Sequence, residues 1–211
     1  MSVAAGGRPE TPAAEPESNE PRPQTSKVLP ELWQRLQPRG CLTVLELGRA
    51  LPETVNFFAG QRCRIHVVDL FDELASGNLG NLINPKTLER QFQDLFGFPP
   101  GTRLDLCLLW DLTHYLDEKR LRAFSRALWP WLAPETLAHS FGVRSAGTDL
   151  LNREYGILSW DTLSVRRRAT AQLPCKPHPP SFMNEWLTCF TTGRGVLLPD
   201  GRVETLMVAR L

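Results

Sequence analysis

The chain has 211 residues, of which 42% are hydrophobic and 22% are charged, and its formal net charge at pH 7 is +1. This composition is typical of a globular protein, and the length fits one domain with a sizeable core. The near-neutral charge argues against a protein whose whole surface binds nucleic acid or a membrane. No apolar run approaches the roughly 20 residues of a spanning helix, and no signal segment is recognisable, so we expect a cytoplasmic protein.

The five cysteines are widely spaced and form no C-x-x-C pair. This pattern predicts reduced, structural thiols rather than a zinc or redox motif. Cys175 and His178 are close together in a Pro-rich stretch, but two ligands do not make a zinc site. We therefore expect no metal.

The first 27 residues are rich in Pro, Ala and Glu and contain Val3 as their one β-branched aliphatic residue. Such a stretch buries too little apolar surface to offset the entropy of ordering it. The sequence predicts a disordered tail over residues 1–27 and one folded domain over 28–211.

The first half of this domain alternates between helical and strand patterns. Residues 29–36 have helical spacing, 41–47 form a short apolar run typical of a strand, and 52–60 begin with a proline that suits a first helical turn. Residues 62–70 predict the next strand, and 85–96 predict a helix.

The second half opens with the most apolar run of the chain, at 103–112, which is typical of a strand buried on both faces of a parallel sheet. Residues 117–132 predict an amphipathic helix with Asp117 as its N-cap, and 136–143 predict a strand. A final pair of strands is joined by a turn at 199–201, whose Pro-Asp-Gly sequence favours one. The alternation predicts an α/β protein with a mostly parallel central sheet.

Four stretches of this α/β pattern resemble the class I S-adenosylmethionine-dependent methyltransferases. They are VLELGRALP at 44–52, IHVVDL at 65–70, DLFGFPPGTRLDLCLLWDLTHYL at 94–116 and GVLLPDGRVETLMVARL at 195–211. The resemblance covers roughly residues 30–211. It implies a three-layer sandwich around a seven-stranded, mostly parallel sheet, whose last strand forms a C-terminal antiparallel hairpin and lies between the fifth and sixth strands.

The resemblance also implies S-adenosylmethionine as cofactor and assigns residues to it. Gly48 would let the chain pass close to the methionine part, Glu46 would orient that part, and Asp69 would accept hydrogen bonds from the ribose hydroxyls. Asp94 corresponds to the acid that meets the adenine amino group. Trp110 and Asp111 would line the pocket beside the sulfonium.

Each assignment has a structural alternative. An acid at a strand end, such as Asp69, is often a helix N-cap, and Asp94 fits the solvent face of a helix. Trp110 in an apolar run fits a core. His114 is a weak candidate for a general base and otherwise fits a capping or surface group, so the catalytic residue is unassigned.

The first motif departs from the family pattern, because Ala50 and Pro52 stand where further glycines are common. This departure keeps a second hypothesis open, a catalytically inactive methyltransferase-like scaffold that acts as a binding or regulatory protein. A Rossmann oxidoreductase is a third reading, although G-x-G-x-x-G is absent. The acceptor, a small molecule or a protein, is unassigned, and neither nucleic acid nor a membrane is expected as partner. The basic triplet at 166–168 is read as a solvated edge.

Overall fold

The computed structural model describes residues 20–37, 40–79, 84–143, 152–169 and 173–211. Within these ranges the strands are β1 Arg22–Thr25, β2 Leu42–Glu46, β3 Cys63–Val67, β4 Leu104–Trp110, β5 Leu132–Val143, β6 Arg153–Ile157, β7 Thr162–Arg167, β8 Phe190–Leu197 and β9 Arg202–Ala209. The helices are α1 Leu29–Leu36, α2 Pro52–Ala59, α3 Leu70–Ala75, α4 Pro85–Phe96, α5 Glu118–Leu128 and α6 Pro180–Trp186. Two single 3₁₀ turns follow β4 and α5.

The four predicted helices, α1, α2, α4 and α5, begin within a residue of the predicted positions, whereas α3 and α6 were not predicted. Pro52 and Pro85 occupy the first helical turns of α2 and α4, where a missing N–H costs nothing. Asp117 caps α5, because its side chain accepts a hydrogen bond from the backbone N–H of Arg120 at 3.0 Å. Gly97 ends α4 in the left-handed conformation, with φ of 52°, which glycine adopts without strain.

The larger sheet has the strand order β3-β2-β4-β5-β9-β8. The first four strands are parallel, and β9 is antiparallel to both β5 and β8, so β8 runs in the direction of β5. The last strand therefore lies reversed between its neighbours, as the resemblance implies. This sheet has six strands within the described residues, not the expected seven. Between β3 and β4 the described chain forms helices, and these supply no strand to extend the sheet beyond β3.

A second, antiparallel sheet has the order β1-β7-β6 and was not predicted. Its β1 lies inside the segment expected to be a disordered tail, so the boundary at residue 27 is wrong. Four pairs from Arg22–Val165 to Thr25–Thr162 join β1 to β7, and Ser26 and the Lys27 amide then donate hydrogen bonds to the buried Glu204. These tertiary contacts order a polar segment that has no apolar periodicity of its own. Residues 1–19 of the expected tail lie outside the described ranges.

The hydrophobic core has two parts, one on each face of the larger sheet. The first includes residues of α3, α4 and α5, and the second includes residues of α1, α2 and the smaller sheet. Alternate residues of β4 belong to the two parts, because successive side chains of a strand point to opposite faces. Three layers result, and the carboxyl ends of β2, β3 and β4 meet at one edge.

Candidate functional site

Four of the predicted site residues lie at this carboxyl edge. Glu46 is the last residue of β2, Asp69 follows β3, and Trp110 ends β4 with Asp111 next to it. Parallel neighbours put these ends side by side. Asp94 differs, because it is exposed on α4, whose buried residues are Leu88, Phe92 and Phe96. The structure thus puts Asp94 on a solvent-facing helix surface, the alternative considered for it.

Glu46 is completely buried, and one of its carboxyl oxygens is shared by two donors. Its Oε1 accepts hydrogen bonds from the Gly48 amide at 2.7 Å and from the Trp110 indole Nε1 at 2.5 Å. Its Oε2 is buried and has no hydrogen-bond partner among the described residues. Burial raises the pKa of this carboxyl to about 8, although both hydrogen bonds oppose the rise.

Gly48 is required by the close approach of these two side chains. A Cβ at this position would lie 3.1 Å from Oε1 of Glu46 and 3.3 Å from Cδ1 of Trp110. Trp110 itself has a φ of 50°, which is uncommon for a residue with a Cβ, and its indole stacks on Tyr155 with centroids 5.5 Å apart. Tyr155 comes from β6 of the unpredicted sheet, and no sequence motif marks it as a neighbour of this edge.

Asp69 caps a helix and also contributes to the acidic edge. Its Oδ1 accepts a hydrogen bond from the Asp72 amide at 3.1 Å, at the start of α3. Its side chain is half-buried, and its negative charge is one of the causes that raise the pKa of Glu46. The structure therefore brings Asp69 near Glu46 while giving it the N-cap role considered as an alternative.

Asp111 is completely buried, and its main counter-charge is Arg168, which the sequence analysis assigned to a solvated edge. The guanidinium Nη2 of Arg168 lies 3.9 Å from Oδ1 of Asp111, an oxygen without a hydrogen bond among the described residues. The Tyr115 hydroxyl donates to the other oxygen at 3.3 Å. Burial raises the pKa of Asp111 to about 6, against the opposing charge of Arg168.

Arg168 corrects the reading of the basic triplet as a solvated edge. Its guanidinium lies 3.5 Å from the centroid of the Phe71 ring and donates to Oδ1 of Asn152 at 3.1 Å and to the Arg153 carbonyl at 2.5 Å. Only 3% of its side chain is exposed. The sequence shows the three consecutive basic residues, but it does not show that Arg168 points into the protein. That orientation depends on the positions of β6 and β7.

His114 is buried in the 3₁₀ turn after β4. Its Nδ1 accepts a hydrogen bond from the His178 backbone amide at 3.1 Å. Burial lowers the pKa of this imidazole to about 4, so the neutral ring carries its proton on Nε2. The geometry favours a hydrogen-bond donor at Nε2 over a general base, the role for which the sequence made His114 only a weak candidate.

The residue types at this edge fit S-adenosylmethionine. The unpartnered Oε2 of Glu46, once ionised, is an acceptor for an ammonium group, Gly48 permits close approach, and Asp69 and Asp111 follow the neighbouring strands at the same edge. Oε2 itself is buried, so a ligand reaches it only if neighbouring side chains move.

Metal centres and membrane spans are both absent from the described ranges. No group of three or more His, Cys, Asp or Glu residues there could hold a metal ion. Among the same residues, no helix combines the length and apolarity needed to cross a membrane.

No family model and no curated protein matches the chain. Among solved structures, it is similar to the N-methyltransferase NodS from Bradyrhizobium japonicum WM9, with 13% identity, 87% of this chain and 94% of that chain covered, and a TM-score of 0.46. The glycopeptide N-methyltransferase MtfA, complexed with S-adenosylmethionine, has 13% identity, coverage of 94% and 100%, and a TM-score of 0.43. The 1,6-didemethyltoxoflavin-N1-methyltransferase from Burkholderia thailandensis, with bound S-adenosylhomocysteine, has 15% identity, coverage of 88% and 78%, and a TM-score of 0.47.

These similar structures are methyltransferases by name, and two of them hold the cofactor or its demethylated product. Similarities at these identities and TM-scores establish neither membership of a family nor an activity. The chain's own strand order, with β9 reversed between β5 and β8, is consistent with the methyltransferase-like α/β fold that the sequence resembles.

Proposed function

We propose that this chain binds S-adenosylmethionine at the carboxyl edge of β2, β3 and β4 and transfers its methyl group to a small acceptor. The observation that carries the proposal is the grouping of Glu46, Gly48 and Asp69 at one sheet edge, with a buried Glu46 oxygen that lacks a partner within the described residues. An acidic edge of low dielectric constant attracts a ligand that bears an ammonium, a sulfonium and a ribose diol.

When bound, S-adenosylmethionine supplies an electrophilic methyl group, so the chain has to align and hold rather than to activate. In this proposal Glu46, which burial keeps protonated below about pH 8, releases its proton to solvent when the ligand binds, and Oε2 of the carboxylate accepts a hydrogen bond from the ammonium while Gly48 lets the backbone approach. The Asp69 carboxylate accepts from the ribose hydroxyls, because a diol offers two donors. Trp110 and Asp111 lie beside the sulfonium, where the negative charge of Asp111 favours a cation.

A second candidate function is a methyltransferase-like binding protein without turnover. The guanidinium of Arg168 favours it, because this internal cation lies over Phe71 and beside Asp111 at the same edge. A positive charge there neutralises the acidic edge and competes with a cationic ligand. If this second function is correct, the carboxyl edge of β2, β3 and β4 stays closed to ligands in the folded protein.

Calorimetric titration of the full chain with S-adenosylmethionine and S-adenosylhomocysteine tests both candidates. If the first holds, the wild type binds both ligands, and Asp69→Ala weakens binding by about 1–3 kcal/mol, the scale of a lost charged hydrogen bond. Asp72→Ala is the matched control, since it removes an exposed carboxylate from the first turn of α3. Its affinity should equal that of the wild type.

Arg168→Met separates the two candidates. Binding by this variant, together with no binding by the wild type, would establish the closed edge of the second candidate. If neither protein binds either ligand, the methyltransferase proposal is overturned. Equal affinities of wild type and Asp69→Ala would contradict the role assigned to Asp69.

A further inference from the structure

A pocket of about 120 Å³ lies next to the candidate cofactor edge, at the carboxyl ends of β5 and β8 and beside α6. Gly142 of β5 and Met183 of α6 are among its lining residues. Ser140, another lining residue, donates a hydrogen bond from its hydroxyl to the Trp110 carbonyl at 3.0 Å. The pocket therefore adjoins Trp110, whose indole donates a hydrogen bond to Glu46 and lies close to Gly48.

The residues that line this pocket disfavour a charged ligand. Its twelve described lining residues include no Asp, Glu, Lys or Arg. Met183 and Met207 supply apolar and adaptable surface, while Thr113 brings a buried hydroxyl without a hydrogen-bond partner among the described residues. A charged group that entered this pocket would lose its hydration and gain no counter-charge from these residues.

His114 gives the pocket a hydrogen-bond donor of fixed direction. Because Nδ1 is held by the His178 amide, the ring proton resides on Nε2. Nε2 faces β5, since a Cβ added to Gly142 would lie 3.3 Å from it. The His114 and His178 rings are stacked with centroids 5.8 Å apart, which holds the imidazole in this orientation.

We propose that this pocket binds the uncharged ring of a small molecule, and that Nε2–H of His114 donates a hydrogen bond to an acceptor oxygen or nitrogen on that ring. The pocket is smaller than the roughly 300–1,000 Å³ of drug-sized sites, so it holds one substituted ring. That this ring belongs to the methyl acceptor rests on the proposed function; the binding itself does not. In either case His114 is a positioning donor.

Three probes with the same ring and different charge test the proposal on the full chain. Benzamide is neutral with an acceptor carbonyl, benzoate is an anion, and benzylamine is a cation. Ligand-observed NMR titrations without S-adenosylmethionine measure their affinities. We expect benzamide to bind at least about tenfold more tightly than either charged probe, because the pocket offers neither ion a partner.

Variants of two lining residues locate the binding. His114→Phe should weaken benzamide binding about 5- to 30-fold, and His114→Gln should restore most of it, because its amide both accepts from His178 and donates into the pocket. His66→Phe, in β3 and outside the pocket lining, is the matched control and should bind like the wild type. Met183→Trp fills the pocket from the half-buried helix α6 and should abolish binding even if the buried His114 variants do not fold.

Equal affinity for the three probes, no binding of benzamide to the wild type, or benzamide binding that survives both His114→Phe and Met183→Trp would each overturn the proposal. The proposed function fails in a different way, because its test is the titration with S-adenosylmethionine. Benzamide selectivity in a chain that does not bind S-adenosylmethionine would leave the pocket assignment standing and remove methyl transfer.

Discussion

Glu46 carries a carboxyl group into the protein interior, where burial raises its pKa from 4.5 to about 8. Between these two values the folded chain binds more protons at this site than the unfolded chain. The free energy of unfolding therefore falls as pH rises through this window, since stability follows the difference in bound protons. Below about pH 4.5 the carboxyl is protonated in both states, and the site adds no pH dependence.

We predict that Glu46→Gln removes this loss, because the amide oxygen still accepts from Gly48 and Trp110 but does not ionise. Urea unfolding at pH 5 should give similar stabilities for the variant and the wild type. At pH 8.5 the variant should be more stable by about 1–3 kcal/mol, because its side chain places no charge in the protein interior.

Glu118→Gln controls for the removal of a carboxylate, since Glu118 lies at the exposed start of α5. Its stability should follow the wild-type pH dependence at every pH. A wild type and a Glu46→Gln variant with parallel pH profiles would show that Glu46 titrates as an ordinary carboxyl.

The sequence was informative about residues that follow strands and uninformative about those brought in by tertiary contacts. Glu46, Asp69 and Trp110 could be assigned to one edge because parallel strands end together. Arg168 could not, because its inward position depends on partners at Asn152 and Arg153, in and beside a sheet that the sequence did not predict.

At the scale of elements, a buried polar network joins the first strand and helix to the larger sheet. Oε1 of Glu204 in β9 accepts hydrogen bonds from the Ser26 hydroxyl and from Nε2 of His139 at 2.8 Å, while Oε2 accepts from the Lys27 amide at 2.8 Å. Burial opposes ionisation of Glu204, but the bonds from His139 and Ser26 hold its pKa below the usual value. The Ser26 hydroxyl also accepts from the amide of Leu29, so one residue both starts α1 and fixes it to β9.

We predict that Ser26→Ala lowers the free energy of unfolding by about 1–3 kcal/mol, because it leaves part of a buried carboxylate without its donor and removes the acceptor at the start of α1. Chemical denaturation measures this loss. Hydrogen exchange should also become faster for the amides of β1 and α1 than for those of β4, since the contact joins the first two elements to the sheet.

Ser159→Ala is the control, since Ser159 is less buried and its hydroxyl bonds only the neighbouring Asp161 among the described contacts. It should change stability by less than about 0.5 kcal/mol. Unchanged exchange in β1 and α1 of Ser26→Ala would contradict the role assigned to this network.

The elements that the sequence predicted are those with a strong local signal. The apolar run of β4, the helical spacing of α1 and the proline start of α2 each suffice to indicate the element. By contrast, β1 is a polar four-residue strand that contains a proline and owes its order to β7. Short strands of this kind depend on their partners, so the smaller sheet was missed.

For the whole molecule, β4 is the link between the two halves of the core. Cys107 and Leu109 pack with the half that contains Phe124, while Leu106 and Leu108 pack with the half that contains Phe58. Loss of packing on one face therefore disturbs a strand that the other face also needs, and the two halves should unfold together.

We predict that Phe58→Ala and Phe124→Ala, on opposite faces of the sheet, each lower the free energy of unfolding by about 3–5 kcal/mol, because each empties a fully buried position. Urea unfolding followed by tryptophan fluorescence and by far-UV circular dichroism should give coincident transitions in both variants. Phe182→Ala, whose side chain is 43% exposed on α6, is the control and should cost less than about 1 kcal/mol. Two separated transitions in either core variant would show that the halves fold independently and that β4 does not couple them.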